Sequence, residues 1–403
     1  MAEITKKEST KVKLEKLLLA NIVTIIFVVI TIIGIFLSEL SFPFIISELI
    51  SRISRNSFLV LSLIIPILAG LGLNFGIVVG AMAGQIGLIM VTYWGITKLP
   101  GFLLAIVFAT PFAILFGYLT GRLFNKTKGQ EMIAGLIVSF FAAGIYQFVF
   151  LILAGPVIPI KDTIMLKPDG MGLRNTIALN GGDYPDGIKY ALDGICNNFF
   201  RFNLFYVIIL GFTILIIFSV YKLIKGKNKN YIVTKDNSVY ITYIIIAVIF
   251  IAVSIFILIT RSPLGKLTVP VITWLVIAGL CLFNTLIIKT KLGQDFRTVG
   301  LSQSIAKVSG INVDRTRIIA IIISTVLAAW GQIIFLQNIG TINTYGSHMQ
   351  VGMFASAAIL IGGASVTKAN IRQALLGTVL FHSVFIVSPT AGKALFGDAQ
   401  IGE

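Results

Sequence analysis

The chain has 403 residues, of which 57% are hydrophobic and 12% charged, and its mean hydropathy is +0.97. Soluble domains carry about 25% charged residues, so this composition excludes an ordinary soluble enzyme or binding domain. The formal net charge of +16 raises the question of a nucleic-acid partner, which the distribution of the basic residues answers below.

Apolar runs long enough to cross a bilayer recur along the whole chain. The first, residues 17–37, is too long for the apolar core of a signal peptide and lacks a following cleavage site, so we expect a retained first span. The predicted spans are 17–37, 58–73, 75–93, 101–121, 131–153, 202–222, 239–260, 269–288, 318–336, 350–365 and 371–388. The sequence therefore predicts an all-α polytopic membrane protein with about 10–11 transmembrane helices.

The basic residues form four clusters: Lys6–Lys16, Arg122–Lys128, Lys222–Lys235 and Lys289–Arg317. All four fall on one side if an even number of spans separates successive clusters. The positive-inside rule makes that side the cytoplasm and places residues 1–16 there as a cytoplasmic N-terminal segment. The basic excess thus reflects topology, and no nucleic-acid partner is expected; a role at the membrane surface is the alternative.

Two segments look broken or re-entrant, because glycines and amides interrupt their apolar character. In the first, residues 70–87, a glycine recurs every fourth position from Gly72 to Gly84, which predicts a smooth helical ridge that another helix can approach closely. The second, residues 338–363, has a polar start followed by small residues. Such interruptions at membrane depth are tolerated where they pack in protein or line a cavity. Two of them, one in each half of the chain, indicate a binding site between repeats; simple helix packing is the alternative.

Uncharged polar residues in these segments and in the span 131–153 are candidates for a solute pathway, since polar groups in a membrane are costly. They are Asn74, Gln85, Gln147, Asn338, Asn343 and Gln350. Hydrogen bonding between helices is the alternative for each. Neutral groups without central charges suit an uncharged, hydroxylated solute such as a nucleoside or simple sugar, with vitamins and amino acids left open.

The loop 155–200 lies outside by parity, and its turn signals predict an ordered segment. A long ordered loop usually has a function, such as covering the pathway or docking a partner, although passive elaboration is the alternative. The cytoplasmic loop 223–238 and the tail 391–403 complete the predicted organisation. No HExxH, Walker or GxSxG motif occurs in the sequence, so we expect no catalytic residue, no metal site and no cofactor bound by this chain. His382 is interpreted as a packing residue.

The stretch 289–317 is basic and has a helical pattern. Leu301, Ile305 and Val308 follow one another at i, i+4 and i+7, which predicts a two-turn amphipathic helix over 301–310 that ends at Gly310. An isolated helix of this length is unstable in water, so the membrane surface or a partner must hold it. Either Asn312 or Asp314 is suited to cap the next span.

Residues 290–317, TKLGQDFRTVGLSQSIAKVSGINVDRTR, resemble the cytoplasmic stretch of permeases from ATP-binding-cassette importers for branched-chain amino acids, simple sugars and nucleosides. The matching residues are Thr290, Leu292, Gly293, Arg297, Gly300, Ala306, Ser309, Gly310 and Ile311, whereas Thr298 stands where alanine is common. Gly129, Glu131 and Ile133 are similar to the Gly-x-x-Glu-x-Ile pattern of the nucleoside and simple-sugar branch, although one residue rather than two separates Gly129 from Glu131. The resemblance covers roughly residues 58–390, with 155–200 poorly matched.

The resemblance implies a permease domain over 17–390 and a coupling helix that docks on a cytoplasmic ATPase. The coupling residues would be Arg297, Gly300, Leu301, Ser302, Ile305, Lys307, Val308, Ser309 and Gly310. It further implies ATP and Mg on that ATPase, an extracytoplasmic solute-binding protein, and a second permease subunit in a bacterial inner membrane. A heterodimer is preferred and a homodimer is the alternative.

Two other function classes lack the residues that they would need. A stand-alone ion-coupled secondary transporter would need a buried carboxylate in the middle of a span, and none is evident. A membrane enzyme would need clustered carboxylates, and the aspartates of the loop 155–200 lack the spacing of a metal or acid–base site. Glu131, at the cytoplasmic start of its span, is expected to complement the helix dipole.

Overall fold

The computed structural model describes residues 21–160, 165–179, 187–195, 202–227, 237–260 and 262–397. The α-helices in these residues are α1 (Ile22–Leu37), α2 (Phe42–Leu61), α3 (Ile64–Leu68), α4 (Ile77–Tyr93), α5 (Lys98–Lys126), α6 (Glu131–Phe148), α7 (Leu204–Lys227), α8 (Asn237–Ile259), α9 (Val271–Lys289), α10 (Lys291–Leu301), α11 (Gln303–Val308), α12 (Val313–Ile339), α13 (Ser347–Ile361) and α14 (Ile371–Phe396). A π-helical turn, Val149–Leu153, extends α6.

Eight helices in the described part of the chain are long and apolar enough to cross a membrane, and α1, α4 and α13 are shorter apolar helices. The strands described are short and form two antiparallel pairs: β1 (Thr176–Ala178) with β4 (Thr341–Asn343), and β2 (Phe202–Asn203) with β3 (Thr268–Val269). The predicted all-α polytopic membrane fold is confirmed. The two segments predicted as broken contain the short helices α4 and α13, each preceded by non-helical residues.

The centre of the bundle is formed by α4, α5 and α12, which pack on one another, while α14 packs against α1, α2 and α13. Helix α4 is apolar around its circumference and nearly all of it is buried, as expected of a helix enclosed by protein. A Cβ atom at Gly80 would lie 2.5 Å from the carbonyl oxygen of Thr325, and one at Gly84 would lie 2.5 Å from that of Ala329. These two glycines therefore form the predicted smooth contact surface.

The other two glycines of the repeat have different roles. Gly72 lies in the turn before α4 with φ +68, a conformation that glycine adopts without strain. Gly76 immediately precedes the helix, beside Asn74 and Thr120. The predicted helical ridge is thus wrong for its first two members, Gly72 and Gly76, since the helix begins at Ile77.

Helices α7 and α8 form a hairpin that packs chiefly on itself, and its outer surface is apolar and exposed. It joins the bundle through the β2–β3 pair, where the Leu204 amide donates to the Leu267 carbonyl at 2.8 Å. A helix pair with apolar residues on its exposed sides suits contact with lipid or with another subunit rather than with water.

Three predicted segments have wrong boundaries. The span predicted at 58–73 belongs to a helix that starts at Phe42, because Glu48 and two arginines lower the hydropathy of a segment that is nevertheless helical. The predicted tail 391–403 begins too early, since α14 continues to Phe396. The loop 223–238 is shortened on both sides by α7 and α8. Residues 1–20, which include the first lysine cluster, lie outside the described residues.

Replacing Gly84 with alanine should destabilise the protein by about 1–3 kcal/mol, because the added methyl group meets the α12 backbone, which cannot move aside alone. Gly144→Ala on α6 is the matched control, since a Cβ there meets no atom within 4 Å. Thermal unfolding in mild detergent measures both variants. Equal unfolding temperatures would contradict the proposed close contact between α4 and α12.

Candidate functional site

The predicted coupling segment consists of two helices rather than one. Thr290 caps α10 by accepting a hydrogen bond from the Gly293 amide at 3.3 Å, and α10 ends at Leu301. Ser302 has extended backbone dihedrals and caps α11, accepting from the Ile305 amide at 3.3 Å. The prediction of a single helix over 301–310 is therefore wrong at its start. The helix breaks at Ser302 because its side-chain oxygen can accept a hydrogen bond from a backbone amide at the start of the next helix.

The three apolar residues of this segment nevertheless share one property, which is exposure. Leu301 is 88% exposed, Ile305 62% and Val308 91%. Ala306 is buried and packs with Val299 and other residues beneath the segment, so it anchors α11 to the bundle. The remaining predicted coupling residues also lie at or near the surface: Arg297, Ser302, Lys307, Ser309 and Gly310 are exposed or half-buried.

The end of α11 is fixed by a left-handed glycine. Gly310 has φ +78, its amide donates to the Lys307 carbonyl at 3.0 Å, and the Ile311 amide donates to the Ala306 carbonyl at 2.9 Å. This pair of hydrogen bonds is the Schellman motif. Asn312 then caps α12 by accepting from the Arg315 amide at 3.0 Å. Of the two predicted caps, the structure uses Asn312, and the coupling segment joins α12 through a short, hydrogen-bonded connection.

Gly300 lies against the turn between α3 and α4. A Cβ atom there would collide with the carbonyl oxygen of Leu68, and one at Gly70 would lie 2.7 Å from the Gly300 Cα. The segment is thereby in backbone contact with the chain that leads into the central helix α4.

A second contact joins the start of α12 to the turn between α5 and α6. Lys128 Nζ lies 2.9 Å from a carboxylate oxygen of Asp314, and the Asn125 side-chain amide donates to the Asp314 carbonyl at 2.8 Å. Deeper in the protein, Arg317 donates to Glu131, and the two side chains are only 1% and 10% exposed. Glu131 therefore does more than complement a helix dipole, since it neutralises a buried arginine.

Two of the predicted pathway residues meet between the short helices α4 and α13. The Gln85 side-chain amide donates to the Asn343 carbonyl at 3.1 Å, and Gln85 Oε1 lies 2.8 Å from His348 Nδ1. With this amide orientation, Nδ1 carries the proton and Nε2 is an acceptor. The ring of Tyr146 lies 4.9 Å from that of His348 between centroids. We call Gln85, Asn343, His348 and Tyr146 the central polar cluster.

The central polar cluster contains two polar atoms that the described residues leave unsatisfied. They are His348 Nε2, an acceptor, and the Tyr146 hydroxyl, which can donate or accept. Both residues are buried. A hydroxyl group or a water molecule matches this combination of acceptor and donor.

Residues 165–179, which belong to the loop predicted at 155–200, contact this cluster. Strand β1 of the loop pairs with β4, so that Thr176 faces Asn343 in the register. Tyr345, just after β4, donates its hydroxyl to the Leu173 carbonyl at 2.8 Å. The loop thus helps to fix the position of the Asn343 carbonyl that Gln85 binds.

The other predicted pathway residues are not gathered there. Asn74 is buried and its side-chain amide donates to the Ser324 hydroxyl at 3.3 Å. Asn338 bonds within its own helix, to the Ile334 carbonyl at 3.0 Å, and lines a separate polar pocket. Gln147 and Gln350 are exposed on the surface of the chain.

Sequence reasoning missed several polar residues of this region. His348 and Tyr146 were not selected as pathway residues, although His348 is one of only two histidines in the chain. The buried Arg317 was assigned to topology alone. No group of three or more histidine, cysteine or carboxylate side chains that could hold a metal ion occurs in the described ranges.

The model of a family described as the permease component of branched-chain amino acid transport systems matches residues 191–396, just over half of the chain. This region contains the coupling segment and α13. No solved structure matches the chain.

Curated relatives match shorter regions and carry the name autoinducer 2 import system permease protein LsrC. The Klebsiella pneumoniae protein is 38% identical over 120 residues, 30% of this chain and 31% of the relative. That of Enterobacter is 36% identical over 106 residues, covering 26% and 28%, and that of Yersinia enterocolitica is 33% identical over 131 residues, covering 32% and 34%. The aligned regions thus span about a third of the length of these relatives.

Glu131→Ala should cost about 3–5 kcal/mol of stability, because it leaves the Arg317 guanidinium buried without a counter-charge. The double variant Glu131→Met, Arg317→Met should recover most of that loss, since apolar side chains of similar volume remove both charges. Thermal unfolding in detergent compares the two. A double variant as unstable as the single one would show that the ion pair does not account for the loss.

Proposed function

The chain belongs to the family of permease components of branched-chain amino acid transport systems, and from this premise we propose that it forms the translocation pathway of an ATP-driven importer. The importer would lie in a bacterial inner membrane with the coupling segment in the cytoplasm. An extracytoplasmic solute-binding protein would deliver the solute on the side of the loop 155–200. This chain would hold no cofactor, and ATP and Mg would bind to a separate ATPase subunit.

The observation that carries this proposal is the exposed apolar face of the coupling segment. Leu301, Ile305 and Val308 present apolar side chains beside basic residues, on a segment whose connections to α10 and α12 are capped and short. An apolar helical face with a polar rim is the form recognised by a complementary groove. The partner that we infer for this face, from the resemblance to importer permeases, is a cytoplasmic ATPase.

The contacts of the segment suggest how its movement would reach the pathway. Through Gly300 it touches the turn before α4, and through Asp314 and Arg317 it touches the turn between α5 and α6. Helices α4 and α6 both contribute to the central polar cluster. A displacement of the segment by the ATPase would therefore be passed to both walls of that cluster without an intervening flexible link.

The solute we infer is small, neutral and hydroxylated, such as a nucleoside or a simple sugar. The central polar cluster offers amide, imidazole and phenol groups, and no buried carboxylate or cation is part of it. The names of the relatives add autoinducer 2 as a solute to be tried.

A second permease subunit is also part of the proposal. The outer face of α6 exposes large apolar residues, among them Phe140 and Phe141, next to the exposed amide of Gln147. An amide on a membrane helix needs a polar partner, which lipid tails do not provide. We prefer a heterodimer because the chain resembles the nucleoside and simple-sugar branch, which often pairs two different permeases. A homodimer is the alternative.

The ion-coupled transporter is less well supported. Among the described residues the buried carboxylates are Glu131 and Asp193. Glu131 is paired with Arg317, and Asp193 accepts hydrogen bonds from the Thr273 amide and hydroxyl at 3.1 and 2.9 Å. Neither carboxylate stands without a partner in the middle of a span, as a coupling-ion site would require.

The double variant Ile305→Glu, Val308→Glu should lose the ATPase on affinity purification of the tagged chain from mild detergent. Charges at the centre of an apolar interface should weaken binding by at least roughly tenfold, the scale of an interface hot spot. The matched control is Val366→Glu, an exposed valine in the turn between α13 and α14. Capture of no ATPase by the folded parent would refute the importer assignment.

Gln85→Leu should abolish solute import while ATPase capture remains at the parental level. The substitution leaves the Asn343 carbonyl and His348 Nδ1 without their partner, at a cost of about 1–3 kcal/mol in the geometry of the cluster. Asn338→Leu, which removes a bond within a single helix, is the control and should retain import. Uptake of labelled ribose, adenosine and autoinducer 2 into proteoliposomes is the measurement. If Gln85→Leu takes up solute as well as the parent does, the central polar cluster is not part of the pathway.

A further inference from the structure

An apolar cavity of about 610 Å³ lies between α5, α9 and α12. Leu103, Ile114 and Phe283 line it and are exposed, so the cavity opens to the membrane-facing surface of the bundle. The polar side-chain groups in its lining satisfy each other, because Trp330 Nε1 donates to the Thr110 hydroxyl at 3.0 Å. The cavity therefore offers hydrocarbon contacts and no free side-chain hydrogen-bonding group.

A smaller polar pocket of about 160 Å³ lies at one end of this region. It is lined by Glu48, Ser51, Ser54, Arg55, Tyr190, Pro270 and Asn338. Charged side chains on a membrane-spanning helix are costly and need a compensating partner or function.

The polar pocket and the apolar cavity are built on the same elements. On α2, Ser54 lines the pocket and Phe58 lines the cavity, while on α12 the corresponding residues are Asn338 and Ile334. Four residues of helix correspond to a rise of about 6 Å. The pocket thus lies about one helical turn from the cavity, on the side of the loop residues 187–195, which contribute to both.

The ion cluster at the polar pocket carries a net positive charge when Arg52, which pairs with Glu48 without lining the pocket, is counted. Glu48 accepts hydrogen bonds from Arg52 Nε at 3.0 Å and from Arg55 Nη2 at 3.3 Å. One carboxylate therefore faces two guanidinium groups, which leaves one positive charge in excess. Arg55 Nε is buried and has no hydrogen-bond partner in the described part of the chain. Lys189 adds a further cation close by, with Nζ 5.2 Å from the centre of the Tyr190 ring.

We propose that this cleft binds an anionic phospholipid, with its phosphate at the polar pocket and an acyl chain in the apolar cavity. A cationic pocket one turn from a hydrocarbon cavity matches the two chemically different ends of one amphipathic molecule. A free phosphate would occupy the pocket alone and leave the cavity exposed. The lipid belongs to the outer leaflet, a placement that rests on the orientation given with the proposed function.

Gly279 provides the test of the acyl-chain site. It lines the cavity, and a Cβ atom there meets no atom within 4 Å, so Gly279→Leu fills the cavity without a backbone clash. Gly211→Leu on α7 is the matched control, because the space around Gly211 is equally open and lies outside the cleft. The importer is reconstituted in a mixture of phosphatidylglycerol and phosphatidylcholine, purified in mild detergent, and its retained phospholipid is measured by mass spectrometry. Displacing about two methylene groups should lower retained lipid roughly tenfold in Gly279→Leu and leave Gly211→Leu unchanged.

The headgroup is tested by a pair of substitutions with opposite effects on charge. Arg55→Gln should remove the preference for phosphatidylglycerol over phosphatidylcholine, whereas Glu48→Gln should keep or raise it. Because both variants break the same ion pair, a purely structural effect would move them together. Excess inorganic phosphate should not displace the lipid. If phosphate does displace it and Gly279→Leu has no effect on the retained lipid, the pocket is a free-anion site and the proposal is overturned.

The experiments distinguish a failure of the lipid site from a failure of the importer assignment. Parental lipid retention by Gly279→Leu, in a complex that still captures the ATPase, would overturn the lipid site alone. A helix of a second permease in the cleft would instead appear as a co-purified subunit that Gly279→Leu releases, with lipid content unchanged, and this result too would overturn the lipid proposal. A chain without an ATPase that still loses lipid in Gly279→Leu would leave the lipid site in place.

Discussion

The arrangement of this protein depends on how closely the backbone of α4 approaches its neighbours. Gly80 and Gly84 bring it against the carbonyl oxygens of α12, and Gly87 brings it against the Ala105 carbonyl of α5. Helix α4 is consequently enclosed by protein along its length. That enclosure allows Gln85 to occupy the interior of a membrane domain, since it can be paired with Asn343 and His348 rather than facing lipid.

Polar groups are likewise paired within the protein at the end of the bundle that bears the coupling segment. Arg317 is fully buried and depends on Glu131 for its counter-charge, while the exposed pair Lys128 and Asp314 stabilises the same interface less strongly because water screens it. The coupling segment enters this region through capped helix ends at Thr290, Ser302 and Asn312. These three caps and the left-handed Gly310 make the connections between the helices short and hydrogen-bonded.

Hydropathy was sufficient to predict the fold class and most spans, because each helix must be apolar over a bilayer's thickness whatever its neighbours. It failed where polar residues are satisfied by tertiary contacts. The predicted span began at residue 58 instead of Phe42 because Glu48, Arg52 and Arg55 lower the hydropathy of a helix in which Glu48 pairs with both arginines. The site at α4 was located from glycine spacing and amides, yet its partner His348 follows from the packing of α13 on α4, which periodicity does not encode.

The coupling segment shows a different limit. Its apolar spacing predicted exposed docking residues, and the three residues are exposed, but the same spacing placed Leu301 and Ile305 on one helix. The Ser302 cap divides them, so the local hydrogen-bonding choice of one side chain overrides the periodic pattern. The pairing of Glu131 with Arg317, separated by 186 positions, could not be derived from either local sequence.

The α7–α8 hairpin has a consequence for how such a chain can change over time. Its two helices cross the membrane once in each direction, and the β2–β3 pair brings its ends together on the same side. An insertion of this kind is neutral with respect to topology: a chain that gained or lost it would keep α9 and everything after it in the same orientation. The hairpin is therefore a position at which related chains can differ in helix number while the coupling segment keeps its orientation.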